Sequence, residues 1–149
     1  MSETSDLATN IHRLSAALGK VADTALQDCC SFGLSQFKIL WMLKNHQEGV
    51  LQTTIAKWLN LTEAAVSRQI SLLHNDGLID KQVDPENRRN HIIMLSDNGV
   101  KLADNAMTAL IKEYSPHFSV LTVKEQLELN KMLEKIFYSV ITKLHNEGN

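Results

Sequence analysis

Long apolar runs are missing from this chain. No stretch approaches the roughly 18 consecutive apolar residues of a membrane-spanning helix, and residues 1–6 are acidic where a secretory signal would be basic. No membrane association is expected, and the cytoplasm is the expected location. Cysteine is scarce too: the two present, Cys29 and Cys30, are neighbours, so they cannot build the loop-closing framework of a secreted mini-protein, and reduced thiols are the expected state. There is no glycine-rich phosphate loop, no Cys-x-x-Cys and no His-Glu-x-x-His spacing. His12, His46, His74, His91, His117 and His145 are scattered singly and read as surface or structural residues. No enzyme, metal centre or cofactor is therefore expected. An excess of one charge sign is also lacking, since the net charge is −2. That excludes a generic polyanion binder with a uniformly basic surface.

What is present is an ordinary globular composition, 44% hydrophobic and 21% charged, at a length of 149 residues that fits one domain. Leu7, Ile11, Leu14, Leu18, Val21 and Ala25 recur at steps of four and three, the spacing of a helix that packs along another helix; it is expected to run to about Cys29. After Ser31, Phe32 and Gly33 a second helix is expected from a Ser35 cap to about Asn45, with Phe37, Leu40, Trp41 and Leu43 inward. Val50 and Leu51 could make a very short strand, and Gln52, Thr53 and Thr54 open a third helix.

Residues 62–77 are the most informative stretch. Thr62 is placed to cap a helix, Glu63 complements its positive first turn, and Gly77 ends it. Val66, Ile70 and Leu73, with Leu72 beside them, mark the core side. Ala64, Ala65, Ser67, Arg68, Gln69, Ser71 and His74 make the other. Small residues beside a long cation and an amide suit a DNA major groove, where the alanines allow close approach and Arg68 and Gln69 can hydrogen-bond base edges. Two short helices with so tight a link are the helix-turn-helix pattern.

Beyond Gly77 the periodicity becomes alternating. Ile79 to Val83 and His91 to Leu95 are of strand length, and between them Asp84, Pro85, Glu86, Asn87 and Asn90 form a turn that carries Arg88 and Arg89. A hairpin at this place is a wing, and arginines at its tip suit a minor groove. Ser96 then caps a helix with Val100, Ala103, Met107, Leu110 and Ile111 inward, which Tyr114, Ser115 and Pro116 are expected to interrupt. Thr122 and Glu125 form a capping box for a last helix with a wide apolar stripe, including Leu129, Met132, Leu133, Ile136, Phe137, Val140, Ile141 and Leu144. So apolar a terminal helix must dock, and the first helix is its expected partner; together they offer more seam than one small core needs, which implies a homodimer. The expected dimerisation positions are Leu7, Ile11, Leu14, Leu18, Leu133, Ile136, Phe137, Val140, Ile141 and Leu144.

The fold class is thus mainly α with a small β wing: a winged helix-turn-helix core at about 34–95, dimerisation helices at about 1–30 and 115–149, and a connecting helix at about 96–114. The run from Thr53 to Leu59, continued by Leu61 to Arg68, Leu72, Leu73, Gly77 to Ile79, Asp84, Pro85, Arg88, Arg89 and Leu95 to Gly99, resembles the MarR family of multiple-antibiotic-resistance regulators. The resemblance implies a homodimer that binds a pseudo-palindromic operator in double-stranded DNA, usually as a repressor, and often releases it when a small phenolic compound or an oxidant acts. By position, residues 62–71 would be the recognition helix, Thr53 and Thr54 its support at the DNA backbone, and Arg89 the wing arginine. Asn87 stands where the family commonly has an Asp that braces this arginine, and Lys81 stands where it often has Arg.

The DNA-binding set is then Thr53, Thr54, Thr62, Ala64, Ala65, Ser67, Arg68, Gln69, Ser71, Asn87, Arg88 and Arg89. Phe37, Trp41 and Met42 are candidate lining for a small aromatic effector, with core packing as the alternative, and Cys29 and Cys30 are candidate redox sensors because relatives sense oxidants through a thiol near the first helix. The competing reading is a winged helix that docks another polypeptide. It draws on the local charge: residues 50–95 hold five cations (Lys57, Arg68, Lys81, Arg88 and Arg89) against five anions, so phosphate contact depends on placement rather than on the overall field.

Overall fold

The computed structural model describes residues 2–147, with side chains to residue 144, so the reading of His145 lies outside the described side chains. The chain divides into two compact units, Met1–Glu113 and Tyr114–Asn149. The element order is α1 (Glu3–Cys30), α2 (Leu34–Lys44), β1 (Val50–Leu51), α3 (Gln52–Leu59), α4 (Glu63–Asn75), β2 (Ile79–Val83), β3 (His91–Leu95), α5 (Asp97–Phe118) and α6 (Val123–Glu147). A mainly helical chain with a small three-stranded antiparallel sheet is the expected class, and the sheet order is β1-β3-β2. Val50 pairs with Ile93, Ile79 with Leu95 and Val83 with His91.

Local chemistry explains most boundaries. The Ser2 hydroxyl accepts from the Ser5 N–H at 3.3 Å to start α1, and the Thr62 hydroxyl accepts from Ala65 at 3.1 Å to start α4. At α6 the box closes both ways: Glu125 N–H donates to the Thr122 hydroxyl at 3.3 Å, and Thr122 N–H donates to the Glu125 carboxylate at 2.8 Å. The Thr122 backbone bond, then its hydroxyl, hold the Glu125 carboxyl below its ordinary value. A carboxyl whose value is lowered by folding stabilises above the ordinary range, so this cap is lost only as pH falls through the lowered value.

Several expectations are corrected. Gly33, not Ser35, caps α2; its N–H donates to the Gln36 side chain at 3.2 Å, and Leu34 N–H donates to the Asp23 carboxylate at 2.7 Å. The acceptor comes from α1, across the corner, where no local pattern shows it. Pro116 does not interrupt α5, which runs through it to Phe118. The proline lies in the last turn, so the missing N–H leaves only the carbonyl four residues earlier without its helical donor. Val100 and Ile111 are exposed, and Gly99, Ala103, Ala106 and Leu110 form the buried face of α5 instead. Leu72 is exposed rather than on the core side. Cys29 and Cys30 are joined in a vicinal disulfide rather than standing as separate thiols. Neighbouring residues already lie within sulfur reach, 3.8 Å apart at Cα, so this closure fixes no long loop.

The core of the first unit gathers Leu26 from α1, Leu40 and Leu43 from α2, Ile55 from α3, Ile70 and Leu73 from α4, and Ile79 and Ile93 from the sheet, all essentially without solvent exposure. Lys44 ties α2 to α5 through an ion pair with Asp104, and lies 5.2 Å from the centre of the Trp41 ring. A tighter joint fixes α5 against the hairpin. A Cβ on Gly99 would sit 2.0 Å from the Leu78 carbonyl oxygen, which is backbone and cannot swing aside. Gly99→Ala is therefore expected to destabilise the fold by about 2 kcal/mol or more and to lower Tm by roughly 5 °C. Calorimetry showing an unchanged Tm would refute that close approach.

Candidate nucleic-acid interface

Between α3 and α4 the chain turns at Asn60, which adopts the left-handed conformation at φ 51°. Leu61 N–H reaches back to the Ala56 carbonyl at 3.0 Å, and Thr62 at once caps α4. Asn tolerates that conformation better than most side chains, so the tight link expected between the two helices is met by Asn60 rather than by glycine. Ile55 and Ala56 from α3 and Val66, Ile70 and Leu73 from α4 are buried together in the first unit, which sets the angle at which α4 presents its other side.

Of the expected readers on α4, Ala64, Arg68 and Ser71 are exposed, while Ala65, Ser67 and Gln69 are half-buried along its flanks. Thr62 is exposed at the cap, and Thr53 and Thr54 are half-buried at the start of α3. Two polar groups are less free than the sequence implies. The Ser71 hydroxyl donates to the Ser67 carbonyl at 2.9 Å, and the Gln69 amide oxygen is buried with no hydrogen-bond partner. Gln69 is thus half-buried on the flank of α4 rather than fully presented to solvent. His74 is structural: its Nδ1 donates to the Ile79 carbonyl at 3.1 Å.

The wing is built from its own backbone. Asp84 N–H donates to the Asn90 carbonyl at 3.0 Å, and Asn90 N–H to the Asn87 carbonyl at 2.8 Å. Asp84 is 8% exposed, and its carboxylate accepts from Glu86 N–H at 3.0 Å. Asn87 braces the arginine segment through the chain rather than the guanidinium, because its side-chain oxygen accepts from Arg89 N–H at 3.1 Å. This is the local bond that Asn and Asp make two residues on, and it explains how an amide serves here. Arg88 and Arg89 are exposed, and among the described residues neither enters an ion pair.

The other candidate residues fall elsewhere. Phe37 and Met42 are buried, and Phe37 stacks on Trp41 with ring centres 5.9 Å apart, which is core packing. A cleft of about 590 Å³ lies along α1 instead, lined by Arg13, Leu14, Ala16, Ala17 and Lys20. Cys29 is exposed and Cys30 half-buried at the end of α1. Leu7 and Leu14 are exposed on α1, with Ile11 and Leu18 half-buried. On α6, Leu133, Ile136, Phe137, Val140 and Leu144 are between 40% and 59% exposed, with Ile141 half-buried. Leu72, expected beside the core positions, is instead exposed four positions after Arg68, on the same helix face.

Residues 33–91 match the family model described as the MarR family. The chain is similar to the uncharacterized HTH-type transcriptional regulator YdgJ of Bacillus subtilis (strain 168), 27% identical over 82 residues. That match spans 55% of this chain and 49%, about half, of the relative's length. It is also similar to the S. aureus MepR–DNA complex, with a TM-score of 0.74 and 26% identity over 89% of this chain and 96% of that one. A MarR-family transcriptional regulator from Rhodococcus sp. RHA1 shares the fold, with a TM-score of 0.82 and 20% identity over 91% and 95% of the two chains.

Replacing Asn87 by Ala should speed exchange of the Arg89 amide about fivefold, as expected for losing roughly 1 kcal/mol of hydrogen bond. Asn87→Asp keeps the acceptor and should leave it slow. Equal exchange in the two variants, read by NMR, would refute the brace.

Proposed function

We propose, from the match of residues 33–91 to the MarR family model, that the chain is a MarR-family, sequence-specific DNA-binding transcription regulator acting as a homodimer. The observation that carries the reading is the pairing of a capped α4, whose outward side shows Ala64, Arg68 and Ser71, with a wing that holds Arg88 and Arg89 exposed. Two α4 helices, one from each copy, would enter successive major grooves roughly 34 Å apart and so read a pseudo-palindromic site. Thr53, Thr54, Thr62 and Ser67 would contact phosphates and position the helix, Arg68 would contact base edges, and the wing arginines would enter the flanking minor groove. That MepR was crystallised with DNA supports the same use of the fold.

The second copy is supported by α1 and α6, each of which leaves leucine, isoleucine or phenylalanine side chains in solvent. Exposed apolar side chains repeated along one helix are what an interaction site leaves uncovered. Repression follows from occupancy of an operator, and a small aromatic ligand that favoured a different spacing of the two α4 helices would relieve it. The cytoplasm is the compartment such a protein requires.

A second reading is favoured by the Cys29–Cys30 disulfide. A hydroperoxide would take two electrons from the thiol pair, leaving a disulfide, an alcohol and water, at the corner where α1 meets α2.

Selection of genomic fragments on the purified protein should yield a two-fold symmetric site. Arg89→Ala should weaken binding to that site at least tenfold in a gel-shift titration, with sedimentation still reporting a dimer and with only a modest dependence of affinity on salt. Unchanged retention would sink the wing assignment, and the absence of any selected fragment would favour a protein-docking module.

For the redox reading, peroxide should release the wild type from its site while a Cys29→Ser, Cys30→Ser variant stays bound. An equal response of both proteins would reject it.

A further inference from the structure

Leu72 is 47% exposed on a helix that buries Val66, Ile70 and Leu73. It follows Ala64 and Arg68 at steps of four, so the three form one row along the outward side of α4, small, cationic, then apolar. Several neighbours on the helix are less fully presented. The Ser71 hydroxyl donates to the Ser67 carbonyl, Gln69 is half-buried with its amide oxygen out of solvent, and His74 Nδ1 donates to the Ile79 carbonyl. On the row that starts at Ala64, the long exposed side chains are Arg68 and Leu72.

Resting on the reading of α4 as the recognition helix, we propose that Leu72 is a specificity residue that contacts the C5-methyl group of a thymine in the major groove. Among the four base pairs only those with thymine present a methyl group there, and apolar side chains are its natural complement. Arg68, one turn earlier, is suited to guanine O6 and N7. The two anchors lie about 6 Å apart along the helix axis. At about 3.4 Å per base step, the thymine read by Leu72 falls roughly two base pairs from the pair contacted by Arg68. The methyl group offers no hydrogen bond, so the contact is made by apolar atoms, which Leu72 supplies.

The test uses the full-length dimer and a synthetic duplex of the site recovered by fragment selection. Each thymine is replaced in turn by deoxyuridine, which keeps the base pair and removes only the methyl group. Wild-type affinity should fall about fourfold per half-site at one symmetric position and not at the others. Leu72→Ala should lose a similar factor on thymine DNA and nothing further on deoxyuridine DNA, as a double-mutant cycle requires of a direct contact. Three outcomes overturn the proposal: indifference of the wild type to deoxyuridine at every position, a Leu72→Ala defect equal on both duplexes, or a Leu72→Ala protein that changes its sedimentation instead of its affinity. The first two leave the DNA-binding reading standing, whereas recovery of no site at all removes that reading together with the proposal.

Discussion

The hydroxyl of Ser96 is the point on which the arrangement of α4, the hairpin and α5 depends. It donates to the Gly77 carbonyl at 2.7 Å and accepts from Gly99 N–H at 3.0 Å, while Ser96 N–H donates to the Leu78 carbonyl at 3.1 Å. One residue thus caps α5 and fastens it to the turn that leaves α4. Gly77, at φ 70°, makes that turn without the steric penalty of a side chain, and Gly99 lets the helix backbone come against Leu78. The base of the hairpin, where Ile79 pairs with Leu95, lies at the same joint. The end of α4, the base of the hairpin and the start of α5 are therefore held by one short set of hydrogen bonds, which fixes α4 and the wing relative to each other.

That rigidity matters because the charge available to the surface is small. With cations and anions balanced across residues 50–95, long-range attraction contributes little and each cation must be placed. The wing does this with backbone geometry. Asp84 is folded into its own turn and Asn87 is spent on the Arg89 amide, which leaves both guanidinium groups outward. On α4 the row that starts at Ala64 likewise sets a cation and a leucine outward, at Arg68 and Leu72.

The last helix presents a different problem. α6 has a complete capping box, which secures its start, yet Leu133, Ile136, Phe137, Val140 and Leu144 all remain exposed. Capping stabilises an end by about 1 kcal/mol, whereas covering such a stripe involves several times that. The helix is secured locally while its apolar stripe stays in solvent, the stripe that the proposed second copy would cover.

Features set by residues three or four apart could be read directly from the amino acids. The Thr62, Ser96 and Thr122 caps, the left-handed Gly77, the hairpin between Ile79 and Leu95 and the order of the elements all depend on short-range bonds and on hydrophobic period, both of which are written in neighbouring letters. Tertiary structure decided what depends on a distant partner. Gly33 displaces Ser35 as the cap because Asp23 of α1 serves the neighbouring amide. Pro116 is tolerated because α5 is already near its end. Leu72 and Leu73 look alike in sequence, but one is half in solvent and the other fully buried, since only the packing of α4 against the core fixes which of two adjacent leucines points inward. The sequence by itself determined a winged helix with a capped, outward-facing α4; tertiary contacts decided which of its side chains are free to meet a partner, because exposure belongs to the packed chain and not to any local stretch of it.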